Sequence, residues 1–220
     1  MTQADQLRGI DVSAWQGDVS QTEVRAAGYV FGYYKATEGI GYVSPRFAPE
    51  WREAREVGLY RGAYHFFHPL KDPVEQADRF VDVMGPIGRG DLPPALDFEG
   101  YNGIKGVNAP DAFLENALLF LERVRELTKR EPIIYIGHWF WRGRVKAARR
   151  SADLMRYRLW LPSYTRTPRP MPWTNGFGGQ AWTIWQHTGS GSVPGVHGRC
   201  DLNVFSGDAA DLAALAGGAS

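Results

Sequence analysis

The 220-residue chain has one cysteine, Cys200, and that scarcity removes two kinds of architecture at once. No intrachain disulfide can form, and no zinc site can be assembled on thiolates. The five histidines, at 65, 68, 138, 187 and 197, include no HExxH pair. Nothing in their spacing asks for a metal, and no cofactor is expected. Charge of either sign is also lacking in excess. Net charge is +1, which gives no field for nucleic acid or an acidic membrane surface, and neither partner is expected. The basic run "KAARR" (146–150) reads as a solvated helix face. No apolar run approaches the ~20 residues of a membrane span. The opening "MTQADQLRGI" has neither the basic segment nor the apolar segment of a signal peptide. The expectation is therefore a soluble protein made in the cytoplasm.

What the chain does contain is alternation. Short runs rich in β-branched and aromatic residues, bounded by Gly, Pro or Ser, read as eight strands. They lie near 8–13, 29–36, 60–67, 94–99, 132–137, 157–164, 181–188 and 200–205. Helical stretches separate the early ones. "SQTEVRAAG" has capping-box spacing from Ser20 to Glu23 and ends on Gly28. Segments 44–58 and 72–84 read alike. In 111–130 the residues Phe113, Leu114, Ala117, Leu118, Leu121, Val124 and Leu127 keep helical spacing. After residue 150 helical signals fade. Strand–helix alternation means parallel pairing, and eight strands in one domain predict an irregular α/β barrel of the TIM type, with fewer helices in the C-terminal third. Residues 1–210 are assigned to that single domain, and 211–220 to a helix end or a linker stub.

Polar residues recur at strand ends: Asp11, Lys35, His65, Asp97 and Glu99, then Tyr135, Tyr164, Gln186 and Asp201. In a parallel barrel such ends converge on one face, where active sites are built. The stretch "PPALDFEG" (93–100) is the most informative. Residues i and i+2 of a strand point to one side, about 6.6 Å apart along the backbone, so Asp97 and Glu99 face one cavity and Phe98 the opposite layer. Two carboxyls that close titrate unequally. The expectation is a charged Asp97 beside a protonated Glu99, the equipment of glycoside hydrolysis. Alternatively, the pair forms salt bridges or binds a cation.

Aromatics supply the substrate clue. Eight Trp and ten Tyr are present, and Trp15, Tyr33, Tyr64, Tyr135, Trp139, Trp160 and Trp185 lie beside strand ends. Flat faces with polar tips suit sugars, although each residue singly reads equally well as core. Tyr33, Tyr64, Tyr135, Trp160, Trp185 and Gln186 are the candidate substrate contacts. Lys35 either joins them or balances the charge of Asp11 or Glu38. His65, His68 and His187 read as hydrogen-bonding wall residues, and Cys200 as a small buried apolar group.

The blocks "GIDVSAWQGDV", "YYKATEG", "GAYHFF", "PALDFEG", "PIIYIG", "LWLPSY" and "TIWQHTGSGSVPGVHGRCDLNVF" resemble, in order, those of glycoside hydrolase family 25, the N-acetylmuramidase lysozymes. The likeness runs from about Gly9 to Phe205. One departure is "VSQ" (19–21), where the family often has an "IDW"-like segment. The resemblance implies a flattened barrel that cleaves the β-1,4 bond from N-acetylmuramic acid to N-acetylglucosamine. Glu99 matches the family's general acid/base, Asp97 the second acid of its DxE motif, and Asp11 and Asp201 the other acids lining the site. It further implies retention, with either Asp97 or the substrate's own 2-acetamido oxygen as nucleophile. Two carboxyls on one wall favour the acetamido oxygen, with Tyr135 helping to hold that group. The implied partner is a peptidoglycan glycan strand, and a site reading one strand needs no second subunit, so a monomer is expected. A phage endolysin held in the host cytoplasm until lysis would fit. A catalytically dead glycan-binding barrel and a chitin-type hexosaminidase are the competing readings. The retained acids count against the first of these.

Overall fold

The computed structural model describes residues 6–217. The first five residues of the segment read for a targeting signal, and the last three of the C-terminal tail, lie outside the described residues. Among the described residues nine strands occur in the order β1 (Arg8–Val12), β2 (Phe31–Glu38), β3 (Tyr42–Val43), β4 (Tyr60–Phe66), β5 (Ala95–Asp97), β6 (Ile133–Tyr135), β7 (Arg158–Pro162), β8 (Ile184–Gly191) and β9 (Cys200–Phe205). Eight of them form a ring, β1-β2-β4-β5-β6-β7-β8-β9, which the β9–β1 and β1–β2 pairings close. The short β3, not foreseen, hairpins back on the end of β2.

The expected all-parallel pairing fails at one strand. β9 runs antiparallel to both β1 and β8. The link from β8 to β9 is too short to carry a crossover helix, so the chain simply doubles back. The early helices are α1 (Gln21–Ala26), α2 (Phe47–Glu56), α3 (Pro73–Met84) and α4 (Pro110–Thr128). Ser20 caps α1 by accepting from the Glu23 amide, and Asp72 caps α3 by accepting from the amides of Val74 and Glu75. In α4 the buried set follows the predicted stripe except at its end, where Phe120 is buried and Leu127 is exposed. A short α5 (His138–Phe140) follows β6 and runs into a π-helical turn. The segment joining β7 to β8 has only single-turn helix, as the fading helical signal predicted.

Period 2 along the strands divides the apolar residues into two bodies. Ile10, Tyr34, Ala63, Leu96, Phe98, Ile134 and Leu159 point outward and pack under the helices. Phe31, Tyr33, Ala95, Ile133, Trp160, Ile184 and Phe205 point inward and fill the barrel. The last helix, α6 (Ala209–Leu215), adds Leu212 to that inner body, and Ala216, the residue that ends the helix, joins it. The boundary drawn at 210 falls within this helix, and residues 211–215 are its end, one of the two readings given for the tail.

Candidate active site

Along each strand, alternate residues climb from floor to mouth. In β2 the inward series is Phe31, Tyr33, Lys35. In β5 it is Ala95, Asp97 and then, just past the strand, Glu99. At the top, Asp11, Ser13, Trp15, Lys35, Tyr64, Phe66, Asp97, Glu99, Tyr135, Trp160, Tyr164, Gln186 and Asp201 line one cavity of about 280 Å³. All four predicted acids are thus brought together, with five of the seven predicted substrate contacts. A wider depression of about 530 Å³ lies outside β8 and β9, and no carboxylate lines it.

The remaining two contacts are corrected. Tyr33 faces the interior but one layer too deep. It is fully buried, its hydroxyl donates to the Pro93 carbonyl at 3.0 Å, and its ring lies 4.6 Å from that of Trp160. It supports the floor of the cavity. Trp185 adjoins the inward Gln186 and so points outward, where its indole N–H donates to the Ser163 carbonyl at 2.8 Å and its ring lines the outer depression. Trp15 and Tyr164, named at strand ends but not among the substrate contacts, also line the cavity, as do Ser13 and Phe66, which were not assigned to it. For Ser13 and Phe66 the signal was parity, since each stands two residues beyond an assigned neighbour, Asp11 and Tyr64.

The antiparallel β9 explains how Asp201 arrives. It lies at the start of its strand, not the end as expected, but a reversed strand starts at the mouth. Register sets it directly across from Asp11. Asp11 is held from behind: Asn203 Nδ2 and Gln186 Nε2 donate to its Oδ2 at 2.7 and 2.9 Å. Asn203 is itself fixed by the Trp160 indole N–H at 2.8 Å. Gln186 Oε1 accepts from the hydroxyls of Tyr135 at 3.0 Å and Tyr164 at 2.8 Å. Aromatic wall, amides and acid therefore form one polar network.

Burial is the main electrostatic influence. It pushes Asp11 up to about 8, reinforced by the charge of Asp201 and opposed by the two amide donors. Asp201 is raised for the same first reason. Burial also raises Glu99, against the pull of Lys35. Asp97 is held well above the usual carboxylate range by burial and then by Glu99. Its Oδ1 is buried without a hydrogen-bond partner. Burial thus acts upward on both carboxyls of the pair, on Asp97 as well as on Glu99. Lys35 bonds Glu38 at 2.6 Å, matching the charge-balancing reading, and its ammonium also reaches the cavity wall.

His65 faces the helices, between Thr37 (2.7 Å) and Gln76 (3.1 Å), and burial holds it down to about 3, so it is a neutral wall residue. Cys200 is buried. Among the described residues, no group of three or more His, Cys, Asp or Glu is placed to hold a metal ion, and no helix is long and apolar enough to cross a membrane.

A barrel whose mouth gathers buried carboxyls between aromatic walls is the architecture of a glycoside hydrolase. The model of glycosyl hydrolases family 25 matches residues 10–196, and the chain belongs to that family. Lysozyme M1 of Streptomyces globisporus is 34% identical, covering 96% of this chain and 71% of its own. An N,O-diacetylmuramidase of Arthroderma benhamiae is 28% identical over 99% of this chain and 89% of its own. The crystal structure of a bacterial lysozyme from Streptomyces coelicolor superposes with a TM-score of 0.85, at 33% identity and 96% coverage of both chains.

Proposed function

We propose that this protein is a peptidoglycan hydrolase that cleaves the β-1,4 bond between N-acetylmuramic acid and N-acetylglucosamine with retention. Glu99 is the general acid/base, and Asp97 assists attack by the substrate's 2-acetamido oxygen. The observation that carries this reading is the geometry of the pair. Both carboxyls line one wall of the cavity, so Asp97 stands on the same side as the acid and is badly placed to attack the opposite face of the sugar. Its unpartnered Oδ1 is an acceptor waiting for a donor, and an acetamido N–H supplies one. Asp97 acts as the carboxylate, its proton given up to solvent before attack, and the positive charge developing on the acetamido group stabilises that ionised form against the upward pull of burial. Glu99, carrying its proton, delivers it to the leaving oxygen and then takes one from the incoming water. Tyr135 stands on the same wall to orient the acetamido group. Asp11 and Asp201, sharing a proton across β1 and β9, place further negative potential beneath the oxocarbenium-like transition state. The names of two similar proteins, a lysozyme and an N,O-diacetylmuramidase, support the choice of bond. A lytic role in phage release belongs to the same proposal and rests on the family resemblance.

The test is to digest purified peptidoglycan, reduce the new ends with borohydride and analyse the amino sugars. Muramitol is expected, and glucosaminitol would refute the bond assignment. Glu99→Gln is expected to lower turnover at least ~100-fold, the usual scale for loss of a general acid. Retention of most activity would refute the role of Glu99.

A further inference from the structure

Most aromatics of this barrel are buried, but two tryptophans are not. Trp15 is 92% exposed and Trp139 is 72% exposed. Trp15 follows β1 and Trp139 follows β6, and these strands are four apart in a ring of eight. The two indoles therefore stand on opposite rims of the mouth. Trp15 lines the cavity directly. Trp139 is joined to it through its neighbours: Phe140 packs on Phe98 at 5.1 Å, and the Phe140 ring would lie 3.7 Å from a Cβ at Gly100, the residue after Glu99.

Trp139 also has a cation beside it. The Arg169 guanidinium lies 5.6 Å from its ring centroid. The Arg169 amide is tied to Ser163 Oγ at 3.1 Å, next to the cavity residue Tyr164. Arg142 is close enough that, after burial, it and Arg169 are what lower His138. Many surface arginines of this protein bond a carboxylate, as Arg46, Arg123 and Arg150 do. Among the described residues, Arg142 and Arg169 bond none. An exposed indole with the Arg169 guanidinium beside it, on the rim of a glycosidase cavity, has the chemistry for a sugar face next to an anion.

The geometry points to an outer saccharide site. The glycan strand crosses the mouth from Trp15 to Trp139, and Trp139 with Arg169 receives a sugar residue bearing a carboxylate, from its lactyl group or from the attached peptide. This rests on the muramidase reading above, and the test separates the two. Steady-state kinetics are measured on soluble glycan strands, either carrying their peptide stems or stripped of them by an amidase, which frees the lactyl carboxylate. Trp139→Ala is expected to raise KM roughly tenfold, the upper range for an aromatic contact, with kcat within about twofold of the parent. Trp139→Tyr is expected to restore most of the loss. Arg169→Gln is expected to raise KM roughly three- to tenfold on strands offering the carboxylate it reads. Loss confined to stem-bearing strands assigns the peptide carboxylate, and loss confined to stripped strands assigns the lactyl one. KM values within twofold of the parent for Trp139→Ala on both substrates would overturn the site while leaving the muramidase reading intact. A parent enzyme that releases no muramitol ends from either substrate would overturn that reading and the outer site with it.

Discussion

Asp11→Asn should make the protein more stable at alkaline pH while damaging its activity. Asp11 and Asp201 lie directly opposite across an antiparallel pair, where like charges are unfavourable. Asp11 avoids the clash by keeping a proton, with burial as the larger cause and Asp201 as the second. The folded-state value of about 8 lies above the unfolded 3.8, so in that window the native state binds more protons than the unfolded chain. Stability therefore falls as pH rises from about 4 to 8. At ~1.36 kcal/mol per pH unit, full coupling of one proton sets a ceiling near 6 kcal/mol at pH 8 and above. Asp201 is only part-buried and opens on the cavity, where water carries part of the load, so about 2 kcal/mol is expected. Asparagine can replace the protonated acid bond for bond: its oxygen accepts from Asn203 and Gln186, and its amide donates to Asp201. Denaturant melts of parent and variant from pH 5 to 8.5 should agree at the acid end and diverge upward, the variant gaining about 2 kcal/mol by pH 8. Glycan cleavage should fall at least ~10-fold at every pH. A variant no more stable than the parent at pH 8, or a difference independent of pH, would refute the shared-proton account.

A second buried acid outside the site should act on stability alone. Glu50 is pushed up to about 8 by burial, and its Oε1 has no hydrogen-bond partner, so Glu50→Gln should raise stability by at least ~1 kcal/mol at pH 8.5 and by little at pH 5, with cleavage unchanged. Gly62 has no room for a side chain, because a Cβ there would enter the Tyr33 ring. Gly62→Ala should cost about 3 kcal/mol and also lower activity, since Tyr33 holds up Trp160 at the cavity floor; an unchanged melt would show that the floor is soft.

How far the sequence disclosed this site depended on parity and on depth. Parity along one strand was readable: Asp97 and Glu99, two apart, had to share a face, and Phe98 had to leave it. The same rule forbids Trp185 and Gln186 from both facing the cavity, and the structure keeps the glutamine. Depth was not readable, because it is set by register between strands. Nothing local distinguishes Tyr33 from Lys35, two residues on, yet one is floor and the other wall. The direction of β9 was equally hidden. A strand–helix rhythm predicts parallel pairing, and only the short return from β8 argued for reversal. The unforeseen strand β3 has two residues, too few for any periodic signal. The α6 helix was visible as an apolar tail, but its place in the core depends on Leu212 joining the inner cluster that holds Phe205 and Phe31, the latter far away along the chain.

The reversed strand is also where fold and chemistry bear on each other most directly. In an all-parallel ring, residue 201 would enter at the barrel floor, far from Asp11. Reversal brings the start of β9 to the mouth and sets two acids side by side, an arrangement that lowers stability wherever both ionise. Asn203, two residues further along the same face, answers that cost by donating to Asp11. It is in turn anchored by Trp160, the residue that also roofs Tyr33 and borders the cavity. One strand thus supplies the repulsion and the group that contains it, at a fixed spacing of two. Burial raises all four carboxyls in the absence of substrate, and a sugar entering the cavity brings the donors and the developing positive charge that favour their ionised forms. The site is destabilised as a free cavity in the same electrostatic sense in which it is complementary to a cationic transition state.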